Sequence, residues 1–146
     1  MRPFTLLVFF VLLLLSAGSQ AQTPSSAVDY YNRGIARYAK GDVDGAMADC
    51  NKAIEINPRY ADAYLNRGLA RYDKGDVDGA IVDYIKAIEI NPRSARAYVG
   101  RGLAQVSQGK DTEAEPDFKK AIEIDPSLKP LIEQVADQIK KQRKPQ

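Results

Sequence analysis

Beyond residue 26 the apolar residues recur every three to four positions, in short segments closed alternately by glycine and by a proline-containing pair. In residues 61–94, Tyr64, Leu65, Gly68, Leu69 and Tyr72 make one such stripe, the spacing of an amphipathic helix. Gly75 stops that helix, with Lys74 in its last turn. Asp76 then caps a second helix, and Asp78 in its first turn complements the positive end of the helix dipole. Ala80, Ile81, Tyr84, Ala87, Ile88 and Ile90 give the apolar face of this second helix, and Asn91-Pro92 ends it. Ser26 followed by Asp29 forms a capping box at the start of the array, with Asp in place of the usual Glu or Gln. Gly68 and Ala80 lack bulk where two helices must cross closely.

The same pattern returns with a fixed period of 34 residues. Residues 27–60, 61–94 and 95–128 align without a gap, the first two agreeing at 24 of 34 places and all three at fourteen. The shared landmarks include Tyr30/Tyr64/Tyr98, Arg33/Arg67/Arg101, Gly34/Gly68/Gly102, Gly41/Gly75/Gly109, Ala46/Ala80/Ala114 and Pro58/Pro92/Pro126. Each copy is a helix pair that cannot bury its apolar face alone, so the copies must stack into a solenoid. A further helix over Ser127 to Lys144, with Leu131, Ile132, Val135, Ala136 and Ile139 on one face, is expected to cover the open end of the last copy. The expectation is seven helices and no strands. Pro116 falls several residues inside the second helix of copy three, where an interior proline costs about 3 kcal/mol. That helix is therefore expected to start late, near Glu113 to Glu115, or to kink, and copy three to be the loosest.

In register and period the array resembles the tetratricopeptide repeat family, over residues 27–128 and on through a solvating helix. The resemblance implies an all-α, right-handed superhelical solenoid whose first helices line a concave groove for peptides or protein partners. It places Val28, Tyr31, Ile35, Tyr38 and Ala39 of copy one in that groove. Copy two adds Asp62, Leu65, Asn66, Leu69, Tyr72 and Asp73, and copy three adds Arg96, Val99, Leu103, Val106 and Ser107. Such an apolar, tyrosine-bearing surface suits a helical or extended apolar segment. Burial of the same residues under neighbouring helices is the competing reading. Two departures from the family stand out: arginine at 33, 67 and 101 where many members carry leucine, and Cys50 in place of the aromatic seen at Tyr84 and Phe118. Cochaperone members grip a C-terminal carboxylate with Lys, Asn, Asn, Lys and Arg. Here Tyr31 and Ile35 replace the first two, Asn66 matches the third, Arg96 stands for the fourth and Gly100 replaces the last. Two of five do not make that clamp.

Other constellations have structural readings. Asp42-Val43-Asp44-Gly45 and Asp76-Val77-Asp78-Gly79 lack the further oxygen ligands and closing Glu of a calcium loop, and helix capping accounts for them. Arg33, Arg67 and Arg101 each accompany an aspartate in the same copy, Asp49, Asp83 or Asp117, and a repeated inter-helix ion pair follows. Cys50 reads as a small core residue. Lys140 to Lys144 reads as a solvated basic tail.

Ahead of the array, Met1-Arg2-Pro3 opens with a positive charge, and Phe4 to Leu15 is apolar apart from Thr5. Small residues then precede a cut after Ala21, the layout of a secretory signal peptide. The run of 12 residues is short of the roughly 20 that span a bilayer. Residues 1–21 are thus expected to be removed, leaving a short polar lead, residues 22–26, and an exported chain, periplasmic or secreted, of inferred bacterial origin. An uncleaved anchor is the alternative.

Composition then narrows the chemistry. There is no histidine and one cysteine, which removes His-based acid/base catalysis, His-dependent nucleophiles, internal disulfides and the usual zinc sites. Beyond residue 21 the chain carries 20 Lys and Arg against 19 Asp and Glu, so no basic surface for nucleic acid is expected. The expected function is a non-enzymatic interaction module without cofactor or metal, taking a protein or peptide partner. It would not insert stably in a membrane once its leader is cleaved. The other reading is a structural element that dimerises through the apolar groove.

Overall fold

The computed structural model describes residues 25–143, and the signal segment expected at residues 1–21 lies outside them. Among the described residues there are seven α-helices and no strand. In order they are α1 (Ala27–Ala39), α2 (Val43–Ile56), α3 (Ala61–Asp73), α4 (Val77–Ile90), α5 (Ala95–Ser107), α6 (Asp111–Ile124) and α7 (Lys129–Arg143). Each copy is one antiparallel pair, α1/α2, α3/α4 or α5/α6, and each pair packs on the next through α2 on α3 and α4 on α5.

Every pair turns at its glycine. Gly41, Gly75 and Gly109 have φ of 82°, 83° and 83°, the left-handed conformation that closes a helix C-terminus. Two residues later the next helix starts, with the Asp42 carboxylate accepting from the Gly45 N–H at 2.9 Å and Asp76 from Gly79 at 3.0 Å. The capping box forms as expected: the Asp29 N–H donates to Ser26 Oγ and the Ser26 N–H to Asp29 Oδ2, both at 3.1 Å. Asp44 pairs with Lys74 at 2.5 Å, and Asp78 accepts from Gln108 Nε2 at 2.6 Å. The four aspartates are thus engaged in caps and in ties between copies.

The core between pairs is built on alanine. Ala53, Ala63, Ala80, Ala87, Ala97, Ala104, Ala114 and Ala121 are wholly buried, so backbones approach and the larger side chains wedge between pairs. Tyr84 is the main wedge of copy two, 2% exposed and packed with Leu65, Ala80, Ala97 and Ala104.

Two boundary expectations are corrected. The helix holding Pro116 does not start late: α6 begins at Asp111, in register with Val77. Packing against α5 keeps the helix in register despite the missing proline N–H. The last helix starts at Lys129 rather than Ser127, because the Asp125 carboxylate takes the Ser127 N–H at 3.0 Å and holds Pro126–Leu128 in a 3-10 turn. α7 then packs along α5, burying Ile132 and Ala136.

Candidate functional site

α1, α3 and α5 present one side to a continuous concave face holding two adjoining cavities. The first, about 310 Å³, is lined by Tyr31, Gly34, Ile35, Tyr38, Ala46, Cys50, Asn66, Leu69 and Arg96. The second, about 380 Å³, is lined by Leu65, Leu69, Tyr84, Arg96, Val99, Gly100, Leu103, Leu128 and Leu131. Leu69 and Arg96 belong to both and mark the ridge between them. The arrangement can hold apolar side chains at two points along an extended or helical segment; it brings together no nucleophile and base.

Most of the expected groove residues meet here. Ile35 is 43% exposed at the rim. Tyr31 and Tyr38 are half-buried, Tyr31 stacked on Tyr60 with ring centroids 5.0 Å apart. The Tyr38 hydroxyl donates to the Asp73 carboxylate, and burial with that carboxylate pushes its pKa up to about 12. Asn66, Leu69, Val99 and Leu103 are half-buried in the walls, and Asp62 and Arg96 are exposed. Val28 and Ala39 are exposed at the outer end of copy one.

Two expected residues, Leu65 and Val106, do not offer a free surface, and Tyr72 lines neither cavity. Leu65 is 5% exposed because Tyr84 and the alanines of α4 and α5 close over it, and it reaches only the floor of the second cavity. Val106 is 1% exposed: the last helix covers that end of α5, and Arg143 donates to the Val106 carbonyl oxygen. Tyr72 is half-buried against the core cluster around Tyr84. The basic tail is corrected in part as well, because Arg143 is docked rather than solvated, with a bidentate pair to Asp111 at 2.9 and 3.1 Å. Leu131 is not on the covering face; it is 54% exposed and extends the second cavity.

Away from the groove the repeated ion pair is present in all three copies. Asp49, Asp83 and Asp117 are 1%, 1% and 4% exposed, and each accepts two bonds from one guanidinium, Arg33, Arg67 or Arg101. Each guanidinium also stacks over a tyrosine, Tyr30, Tyr64 or Tyr98, 5.2 to 5.8 Å from the ring centroid. The sequence reading missed a second arginine one turn on: Arg37 reaches Asp49 at 3.1 Å and Arg71 reaches Asp83 at 3.0 Å. Copy three has Gln105 there, and its buried Oε1 has no partner.

Comparison with known proteins agrees with this architecture. Residues 34–75 and 68–109 match the family described as TPR repeat, and residues 95–128 match the one described as tetratricopeptide repeat. No match to a curated protein was found. The crystal structure of MamA is 39% identical with a TM-score of 0.66, covering 70% of this chain and 60% of that one. The chain therefore spans less than two thirds of that relative. The TPR2B domain of yeast Sti1, in a complex with pHsp70, is 27% identical with a TM-score of 0.73, covering 80% of this chain and 98% of that one. The first TPR of Spaghetti (RPAP3), bound to the HSP90 peptide SRMEEVD, is similar in fold at 21% identity and a TM-score of 0.71, covering 78% and 93%. With the helix pairs, their period and the matched residues in agreement, the chain belongs to the tetratricopeptide repeat family.

Proposed function

We propose that this chain is an exported, non-enzymatic interaction module that holds a protein or peptide segment along its concave face. The observation that carries the reading is the pair of adjoining apolar cavities on α1, α3 and α5, which α7 leaves open and borders with Leu131. A side-chain-sized hollow is where binding energy concentrates when an apolar anchor enters it and sheds water. The solved neighbours in complex with pHsp70 and with an HSP90 peptide support a peptide as the kind of ligand. The carboxylate-clamp residues are replaced at three of five places here, so this partner is of a different chemistry. Near-balanced charge argues against nucleic acid. Export rests on the pattern of residues 1–21, and the mass of the protein recovered from the extracytoplasmic fraction tests it: a chain starting at Gln22 supports export with cleavage.

The groove is tested by using residues 22–146 as bait in extract from that compartment, beside an Ile35→Glu, Leu69→Glu variant checked for unchanged helicity. Both side chains face the groove without closing the core. A partner taken by the parent and lost by the folded variant supports the reading. A partner kept by both removes the site from the groove. A dimeric parent and a monomeric variant would make a second copy the occupant.

A further inference from the structure

The first cavity reaches down to Cys50, at the place where the other two copies carry a ring. In copy two the Tyr84 ring lies between successive first helices and forms the floor of the second cavity. A Cβ placed on Gly68 would lie 2.8 Å from Tyr84 Cε1, and one on Gly100 would lie 2.7 Å from both Cε1 and Cζ. In copy three the Phe118 ring lies as tightly on Gly102, 2.5 Å from such a Cβ. The residue at this place in copy one is Cys50. Gly34, the counterpart of Gly68, has nothing nearer than 3.4 Å, and the Cys50 sulfur is 3.7 Å away. The glycine that admits a ring is kept while the ring is gone. Gly34, Cys50 and Asn66, the counterpart of Gly100, all line the first cavity, whose volume is about 310 Å³. A dry engineered cavity of roughly 150 Å³ already takes up benzene. The mouth is rimmed by Ile35, Tyr31 and Tyr38 and opens on the groove. Arg96 stands beside it, exposed and without an ion pair among the described residues, whereas the arginines of the buried pairs are all engaged.

We propose that the cavity over Cys50 is a receptor for a phenylalanine or tyrosine side chain of a bound peptide, with a carboxylate close to that residue in the peptide meeting Arg96. The ligand's ring takes the place that Tyr84 takes in copy two, so copy one completes its packing only when occupied. This rests on the groove reading above and adds the anchor residue and the charge beside it.

A phage-displayed library of random peptides, selected on residues 22–146, provides the test. The expected result is enrichment of peptides with a Phe or Tyr near an Asp or Glu. Their affinity should fall by roughly 30-fold or more when the aromatic residue becomes alanine, and more weakly in Arg96→Ala. Filling the cavity from inside with Cys50→Phe, Asn66→Gly, which rebuilds the copy-two arrangement, should abolish their binding. Cys50→Leu fills it in part and weakens them, should the double variant not fold. Peptides that lack an aromatic, or that bind the filled variants equally while losing Ile35→Glu, Leu69→Glu, overturn the receptor and leave the groove reading standing. Selection of no groove-dependent peptide overturns both. A parent that dimerises and a filled variant that does not would assign the cavity to a second copy, against the proposal.

Discussion

At the scale of single residues, the two glycines at one repeat position make opposite predictions. Ala at 68 would drive its Cβ into the buried Tyr84 ring, and overpacking of that kind costs about 1–3 kcal/mol. Ala at 34 meets only ordinary contacts and replaces a helical glycine, a gain of up to about 1 kcal/mol. Urea midpoints of Gly68→Ala and Gly34→Ala check this, and equal effects would mean copy one is as tightly filled as copy two. The ion pair gives a second contrast. Arg67→Leu leaves the Asp83 carboxylate, 1% exposed, with Arg71 alone, at a cost of about 3 kcal/mol. Adding Asp83→Leu should recover most of that loss, whereas a purely ligand-binding Arg67 would leave stability unchanged in the single variant. Cys50 supplies a pH signature. Burial pushes its thiol up to about 11, from about 8.5 in an unfolded chain. A folded-state pKa above the unfolded one means stability is full below pH of about 8.5 and declines as pH rises toward 11. Cys50→Ala should flatten the first part of that decline, leaving the tyrosine part, since burial also raises Tyr38 and Tyr84. Repeat comparison made the arginine–aspartate pairs legible, because residues recurring together at one spacing must meet. It did not reveal the cavity: Cys50 was visible as a missing aromatic, but only the unfilled space beside Gly34 shows that no neighbour moved in.

At the scale of elements, most helix starts and stops that a side chain or a positive φ decides were readable: Ser26, Asp42, Asp76 and the three glycines. They were misread at Pro116, where packing decides, and at Ser127, where the Asp125 carboxylate closes a short 3-10 turn ahead of the helix. Copy three is nonetheless expected to be the loosest. Lys110 stands where Asp42 and Asp76 cap, and makes no side-chain cap bond. Pro116 offers no N–H to the preceding turn. Gln105 leaves a buried oxygen without a partner where Arg37 and Arg71 reach an aspartate. Amides of α6 should therefore exchange faster than those of α4 in native-state hydrogen exchange. Equal or slower exchange in α6 would show that α7, through Arg143 and Asp111, more than offsets these losses.

At the scale of the whole molecule, three stacked helix pairs and a covering helix leave one face with hollows of side-chain size. The period and the small residues made that architecture legible before any coordinates. The extent of the free surface was not, because Leu65 and Val106 share the groove's helical register yet are closed over by α4, α5 and α7. On the opposite side Val82 and Ile85 are 62% and 37% exposed, the apolar residues that a partner of the outer face would use. The most direct measurement is therefore a titration of isotope-labelled residues 22–146 with a captured partner segment, following backbone amide shifts. The account predicts shifts concentrated at Tyr31, Ile35, Asn66, Leu69, Arg96, Val99 and Leu103; shifts concentrated at Val82, Ile85 and Lys86 would contradict it.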